Sequence, residues 1–188
     1  MKNIIEDFTL EPLVNPQFIS TSLATYTQDG QAKDWEIVQA HDSVAILLYH
    51  TEKDAFVLVK QFRPAVYLNN KDGMTVELCA GIVDKALPLI HIAQEEIEEE
   101  CGYHVSIAEI ETITSFHTSV GFAGSKQTLY YVEVDERMKV SEGGGVDDEQ
   151  IEVIYLPVAE AQQFMYDESI AKTPGIMFAF MWWWDQRH

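Results

Sequence analysis

Two nearly unbroken apolar runs, SVAILLY (43–49) and AFVLVKQF (55–62), dominate the middle of this chain. Both are short and rich in aliphatic and aromatic residues, and the polar stretch HTEKDA joins them. That pattern predicts adjoining strands buried in a core. MTVELCAG (74–81) reads as a further strand closing at Ala80–Gly81, and IAEIETITSFH, KQTLYYVEV and IEVIYLPV continue the series. Upstream, FISTSLATYT and AKDWEIVQA flank Asp29–Gly30, which predicts a hairpin. So small a sheet is marginal alone and is expected to pack on the main domain or on a second subunit. The tail from Ala159 to Trp184 reads as two helices around Thr173–Pro174–Gly175. The expected fold class is α/β: helices flanking a mixed sheet over residues 39–188, plus a small N-terminal antiparallel β subdomain over residues 1–38.

One helix stands apart from this frame. It opens at Pro88, stops at Gly102, and carries five glutamates between residues 95 and 100. No Lys or Arg occurs between Lys85 and Lys126 to neutralise them. Acids one turn apart repel by about 0.2–0.5 kcal/mol per exposed pair, and acids in the last turn face the negative end of the helix dipole. At 100° per residue, Leu89, Ile90, Ala93, Ile97 and Cys101 share an apolar face. Glu96 and Glu100 project at its margin with Glu99 beside them, while Glu95 and Glu98 point toward solvent. A solvated acidic surface helix is the plainer alternative; a divalent cation among the acids accounts for the geometry better.

Composition narrows the partners. The formal charge is −19 on 188 residues, with 47% hydrophobic. That balance argues against nucleic acid and anionic membrane, since both need a basic patch. The two cysteines, Cys79 and Cys101, make neither a disulfide framework nor a zinc ribbon and suit a reducing compartment. The N-terminus shows no signal-peptide pattern, and the longest apolar run, GIMFAFMWWW, is too short to span a bilayer. A cytoplasmic location is expected.

The stretch from Gly81 to Tyr103 resembles the Nudix box, G-x5-E-x7-R-E-U-x-E-E-x-G-U, where U is apolar or aromatic. Gly81, Glu96, Ile97, Glu99, Glu100, Gly102 and Tyr103 match it at the right spacing. Leu87 stands where the first Glu is expected, and Glu95 where the Arg is expected. HDSVAILLYH, VLVKQFRPAVY, TVELCAGIVDK, EECGYHV, GSKQTLYYVEV and IEVIYLPV extend the likeness from about residue 34 onward. They are similar to the UDP-sugar diphosphatase branch of the Nudix hydrolases, close to the ADP-ribose pyrophosphatases.

The resemblance implies Mg2+, or Mn2+, held by Glu96, Glu99, Glu100 and the Ala80 carbonyl, with Glu77 as an extra acid. Oxygen ligands suit these cations and not zinc. It implies Glu149 as the base that activates water, on a loop freed by Gly143–Gly145; Asp147 and Asp148 are weaker candidates. Glu99 and Glu100 would thus be catalytic as well as ligating. Arg63 would contact the diphosphate, accompanied by Gln61, with Ser125 and Lys126 reaching the substrate. Trp35 would stack on the base, though a Trp is also a common core anchor. His91, His104 and His117 have no metal-ligand spacing and read as structural or surface residues; Trp182–Trp184 read as core or subunit interface. The implied reaction is hydrolysis of a nucleoside diphosphate sugar, UDP-glucose giving UMP and glucose 1-phosphate, by a homodimer. ADP-ribose hydrolysis to AMP and ribose 5-phosphate is the neighbouring alternative. A non-catalytic nucleotide-binding module, suggested by Leu87 and Glu95, is the alternative of another kind.

Overall fold

A computed structural model describes residues 4–146 and 149–187. The architecture is α/β, with a mixed seven-stranded sheet between two helical layers and a separate two-stranded sheet near the N-terminus. The small sheet is the expected hairpin, β1 (Ile19–Gln28) against β2 (Gln31–Ala40). Asp29 and Gly30 both have positive φ, 53° and 77°, the tight turn that Asp-Gly favours. β2 runs two residues past the boundary expected at residue 38.

The central strand β3 (Ser43–His50) pairs in parallel with β8 (Lys126–Val134) along its whole length. Its other edge is shared. β6 (Cys79–Ile82) pairs beside residues 43–46, and β4 (Ala55–Phe62) beside residues 48–50. The sheet therefore splits along this edge. β5 (Met74–Glu77) and β9 (Glu152–Pro157) pair with β4, and β7 (Glu111–His117) pairs with β8. MTVELCAG is thus two strands, not the single one expected. At Leu78 the chain leaves β4 and joins β3, because each half meets a different neighbour.

Alternation along β3 and β4 divides the core. Val44, Ile46, Leu48, Val57 and Val59 face helix α2 (Leu89–Cys101) and its residues Ile92, Ala93 and Ile97. Ala45, Leu47, Phe56 and Leu58 face α3 (Val158–Tyr166) and α4 (Pro174–Arg187). There Phe180 stacks on Phe56 with ring centroids 4.3 Å apart, and Trp183 Nε1 donates to Tyr131 Oη at 3.2 Å. Each large side chain so buried contributes roughly 1.5–3 kcal/mol. A short helix, α1 (Pro64–Asn70), follows β4. Cys79 and Cys101 are both free and buried, and burial together with the neighbouring Cys101 thiol pushes the Cys79 thiol up.

The buried face of α2 differs from the helical-wheel expectation. Ile92 is inside, Leu89 sits exposed at the rim, and Glu100 is buried with the apolar residues. The reason lies in what Glu100 meets across the split.

Candidate active site

The site starts from one backbone contact. Glu100 is 4% exposed, and its Oε2 accepts the Ala80 N–H at 2.9 Å. Glu96 lies one turn earlier, against Gly81, where a side chain would collide with the Glu96 carboxylate. Without a Cβ, Gly81 leaves the Glu96 carboxylate room to lie directly over strand β6. Burial, then the charges of Glu99 and Glu149, pushes the Glu96 carboxyl up to about 7. Burial pushes Glu100 up to about 8, helped by the charges of Glu96 and Glu149 and opposed by the Ala80 amide. Two acids placed this way either hold protons at neutral pH or need a cation.

Across the split, Arg63 closes β4. Its Nε and an Nη donate to the two carboxylate oxygens of Glu77, each at 2.8 Å, and Thr75 Oγ1 donates to Glu77 at 2.5 Å. Glu77 is therefore not an exposed strand acid; it is 8% exposed and forked by a guanidinium. Burial pushes its carboxyl up, but the Arg63 bonds and charge outweigh this and hold it below the usual value. The Arg63 side chain remains 45% exposed. The charges of Glu100 and Glu149 also act on it.

The glycine triplet is a clamp in this structure. Gly144 N–H donates to the Glu100 carbonyl at 2.9 Å, and Gly145 N–H to the Glu99 carbonyl at 3.0 Å. These are carbonyls that the end of α2 would otherwise leave unpaired. All three glycines have positive φ, and a Cβ at Gly143 would collide with the Glu100 carbonyl. The helix itself ends on Gly102, at φ 78°, whose N–H returns to the Glu98 carbonyl at 3.1 Å. Tyr103 then ties this end to β9 through a 2.7 Å bond to the Tyr155 hydroxyl. The loop carries Glu149, whose Oε2 accepts the Val146 N–H at 3.0 Å. The expected freedom of Gly143–Gly145 is thus replaced by docking, which fixes Glu149 relative to the acids of α2.

The structure gathers Arg63, Glu77, Ala80, Glu96, Glu100 and Glu149, and Glu99 borders them. Among the described residues no three His, Cys, Asp or Glu side chains converge into a closed metal cage. Glu100 is turned to the Ala80 amide instead. Trp35, Ser125 and Lys126 form a second group. Trp35, 55% exposed, donates from Nε1 to the Gly121 carbonyl at 2.7 Å; Ser125 Oγ reaches the Ala40 carbonyl at 3.4 Å; Lys126 N–H donates to Asp42 at 2.8 Å. These bonds pin the hairpin to the loop after β7. Gln61 is half-buried on β4 opposite Thr75. Asp147 and Asp148 lie outside the described residues.

No protein-family model matches the chain. Whole proteins do. Uridine diphosphate glucose pyrophosphatase NUDT14 of Bos taurus is 37% identical over 186 residues, covering 84% of each chain. The Mus musculus protein of that name is 37% identical over 190 residues, covering 86% of each. GDP-mannose pyrophosphatase of Cronobacter sakazakii is 41% identical over 147 residues, covering 74% of this chain and 75% of the relative. The chain belongs to the Nudix hydrolase family.

Within that Nudix frame, the two departures from the box have simple structural outcomes. Glu95 is turned away from the acids and paired with Lys85 Nζ at 2.7 Å. The charge of Lys85 in turn reaches Glu96 and partly opposes its shift. Leu87 sits exposed in the loop before α2. Neither change alters the contact of Glu100 with Ala80. Sequence reasoning missed the Arg63–Glu77 fork and the docking of the glycines on α2, both of which join segments far apart in the chain.

The raised carboxyls set a pH dependence. An ordinary glutamate has a value of 4.5. Between about 4.5 and 8 the folded protein holds protons at Glu96 and Glu100 that the unfolded chain has released, so stability falls as pH rises. In chelator, the melting temperature is expected to drop between pH 5.5 and 8.5, and Glu100→Gln to flatten that slope. A melting temperature that rises over this window contradicts the reading.

Proposed function

We propose that this Nudix hydrolase cleaves the diphosphate of a nucleoside diphosphate sugar with the help of Mg2+ (or Mn2+), UDP-glucose giving UMP and glucose 1-phosphate. The observation that carries the reading is the acid pair of half-buried Glu96 and buried Glu100, both carboxyls raised chiefly by burial, with Arg63 near enough for the charge of Glu100 to act on it. The names of the relatives, UDP-glucose and GDP-mannose pyrophosphatases, support the substrate class.

The donor set fits a hard divalent cation. Glu96, Glu99, Glu100 and the Ala80 carbonyl would hold it, and the raised carboxyls of Glu96 and Glu100 favour its entry. When bound, the cation supplies positive charge against the diphosphate and makes water more acidic. The rest falls to the chain. Arg63, oriented by Glu77, forks onto phosphate oxygens and draws charge from the P–O bond as it breaks. Glu149, held by the docked loop, takes the proton from the attacking water. Lys126 and Ser125 approach the substrate from the start of β8, with Gln61 beside Arg63. Trp35 offers its indole face to the base.

The small N-terminal unit, residues 1–38, serves a homodimer in this reading. Tyr26 of the hairpin and Phe18 just before it are exposed apolar residues that a second copy would cover. Light scattering is expected to give twice the monomer mass of 21.4 kDa; a monomer mass removes the dimer proposal.

Hydrolysis of UDP-glucose, GDP-mannose and ADP-ribose is compared with Mg2+ and with chelator. UMP release that depends on Mg2+ and is fastest from UDP-glucose is expected. Removing the carboxylate in Glu100→Gln or the base in Glu149→Gln is expected to lower kcat by about 10²–10⁴. Faster turnover of GDP-mannose or ADP-ribose reassigns the nucleotide and keeps the chemistry. Binding of all three at saturating Mg2+ without turnover makes the protein a nucleotide-binding module.

A further inference from the structure

A cavity of about 400 Å³ lies on the opposite face of the sheet from α2, with Glu77 and Ala80 in its wall. That volume is at the lower end of the range of roughly 300–1,000 Å³ for small-molecule sites. Its walls come from four places: Ala45 and Ala80 from the sheet, Phe116 and His117 at the end of β7, Gln127 of β8, and Gly175 in the first turn of α4. Ala80 belongs to both sites. Its N–H holds Glu100 while its side chain faces the cavity, because β6 alternates between Cys79 toward α2 and Ala80 toward the other face.

The polar groups in this cavity are fixed from behind. Gln127 Nε2 donates to Ser43 Oγ at 3.0 Å, which turns Oε1 toward Gly175. His117 Nδ1 donates to the Gly124 carbonyl at 2.9 Å, leaving Nε2 as an acceptor. Gly175 has no left-handed φ, so what it contributes is space and not backbone freedom. A Cβ there would stand 3.3 Å from Gln127 Oε1 and 3.6 Å from the Phe116 ring. A glycine weakens a helix relative to alanine, and what this one preserves is room in the cavity.

The chemistry of the lining selects among the parts of a nucleotide sugar. Among the described residues no Lys or Arg lines the cavity, and the charge of Glu77 is matched by Arg63, so the cavity is not built for a phosphate. Two fixed acceptors, the hydroxyls of Thr118 and Ser119, and an apolar wall suit a neutral ring bearing several hydroxyls. A nucleobase finds a better stacking face on exposed Trp35.

Resting on the nucleotide-sugar reading above, we propose that this cavity receives the hexose of the substrate. Gln127 Oε1 and His117 Nε2 accept hydrogen bonds from its hydroxyls, and Gly175 sets the size of ring admitted. His117, which the sequence marked as structural, is then a residue of substrate specificity.

The test is equilibrium binding, by calorimetry with Mg2+, of glucose 1-phosphate and separately of UMP. The wild-type protein is compared with Gly175→Ala, which the helix accepts, and with Gln127→Leu. Filling the space or removing the acceptor is expected to weaken glucose 1-phosphate by roughly tenfold while UMP changes by less than about twofold. Weakened UMP with unchanged glucose 1-phosphate overturns the assignment, because the cavity then takes the base. Unchanged binding of both, or no binding of glucose 1-phosphate by the wild type, overturns it as well. These bindings need no turnover. A wild type that hydrolyses no nucleotide sugar but loses glucose 1-phosphate affinity in Gly175→Ala keeps the cavity assignment and loses the hydrolase reading. Turnover of UDP-glucose with sugar binding indifferent to Gly175→Ala does the reverse.

Discussion

Glu100 is a carboxylate packed among apolar residues, held by one backbone amide, with another acid one turn away. Water has been removed from it, and among the described residues no Lys or Arg forms an ion pair with it. Burial of a charge in this way is tolerable only if the group keeps a proton or acquires a counter-charge. Much of the surrounding structure serves to maintain that condition. Gly81 lets β6 lie close under α2. The split edge of β3 brings Ala80 beneath the helix while carrying Arg63 to the other side of the cleft. Gly102 and the docked glycines hold the helix end in place.

The same features join the two halves of the chemistry. The amides of Gly144 and Gly145 bind the carbonyls of Glu100 and Glu99, so the loop that carries Glu149 is anchored to the helix that carries the acids. Arg63 is anchored in a comparable way, since its fork to Glu77 fixes the guanidinium plane. Side chains already oriented lose less freedom when they meet a transition state, which is how such anchoring contributes to rate.

Much of this was legible in the sequence, and the division between what was and was not is physical. The hairpin at Asp29–Gly30, the buried strands and the helix between Pro88 and Gly102 follow from local period and turn chemistry, and the structure has all of them. The acidic cluster was legible because Glu96 and Glu100 fall beside the apolar stripe. The depth of Glu100 was not, because it depends on Ala80 approaching from another strand. MTVELCAG has one continuous β pattern, and only its two different neighbours reveal the break at Leu78. The Arg63–Glu77 fork, the docking of Gly143–Gly145 and the cavity at Gln127 and Gly175 each join segments distant in sequence. No local pattern encodes such contacts. The outward turn of Glu95 onto Lys85 shows the opposite case, an apparent violation of the Nudix box that a surface contact absorbs.

In the proposed function Glu96 and Glu100 hold protons at neutral pH that an entering divalent cation would displace. Calorimetric titration of Mg2+ at pH 7, in two buffers of different ionisation enthalpy, counts the protons released as the cation enters. The account expects release of about one proton per chain, declining toward none at pH 9. Mg2+ binding with no proton release at pH 7, or no Mg2+ binding at all, would contradict it.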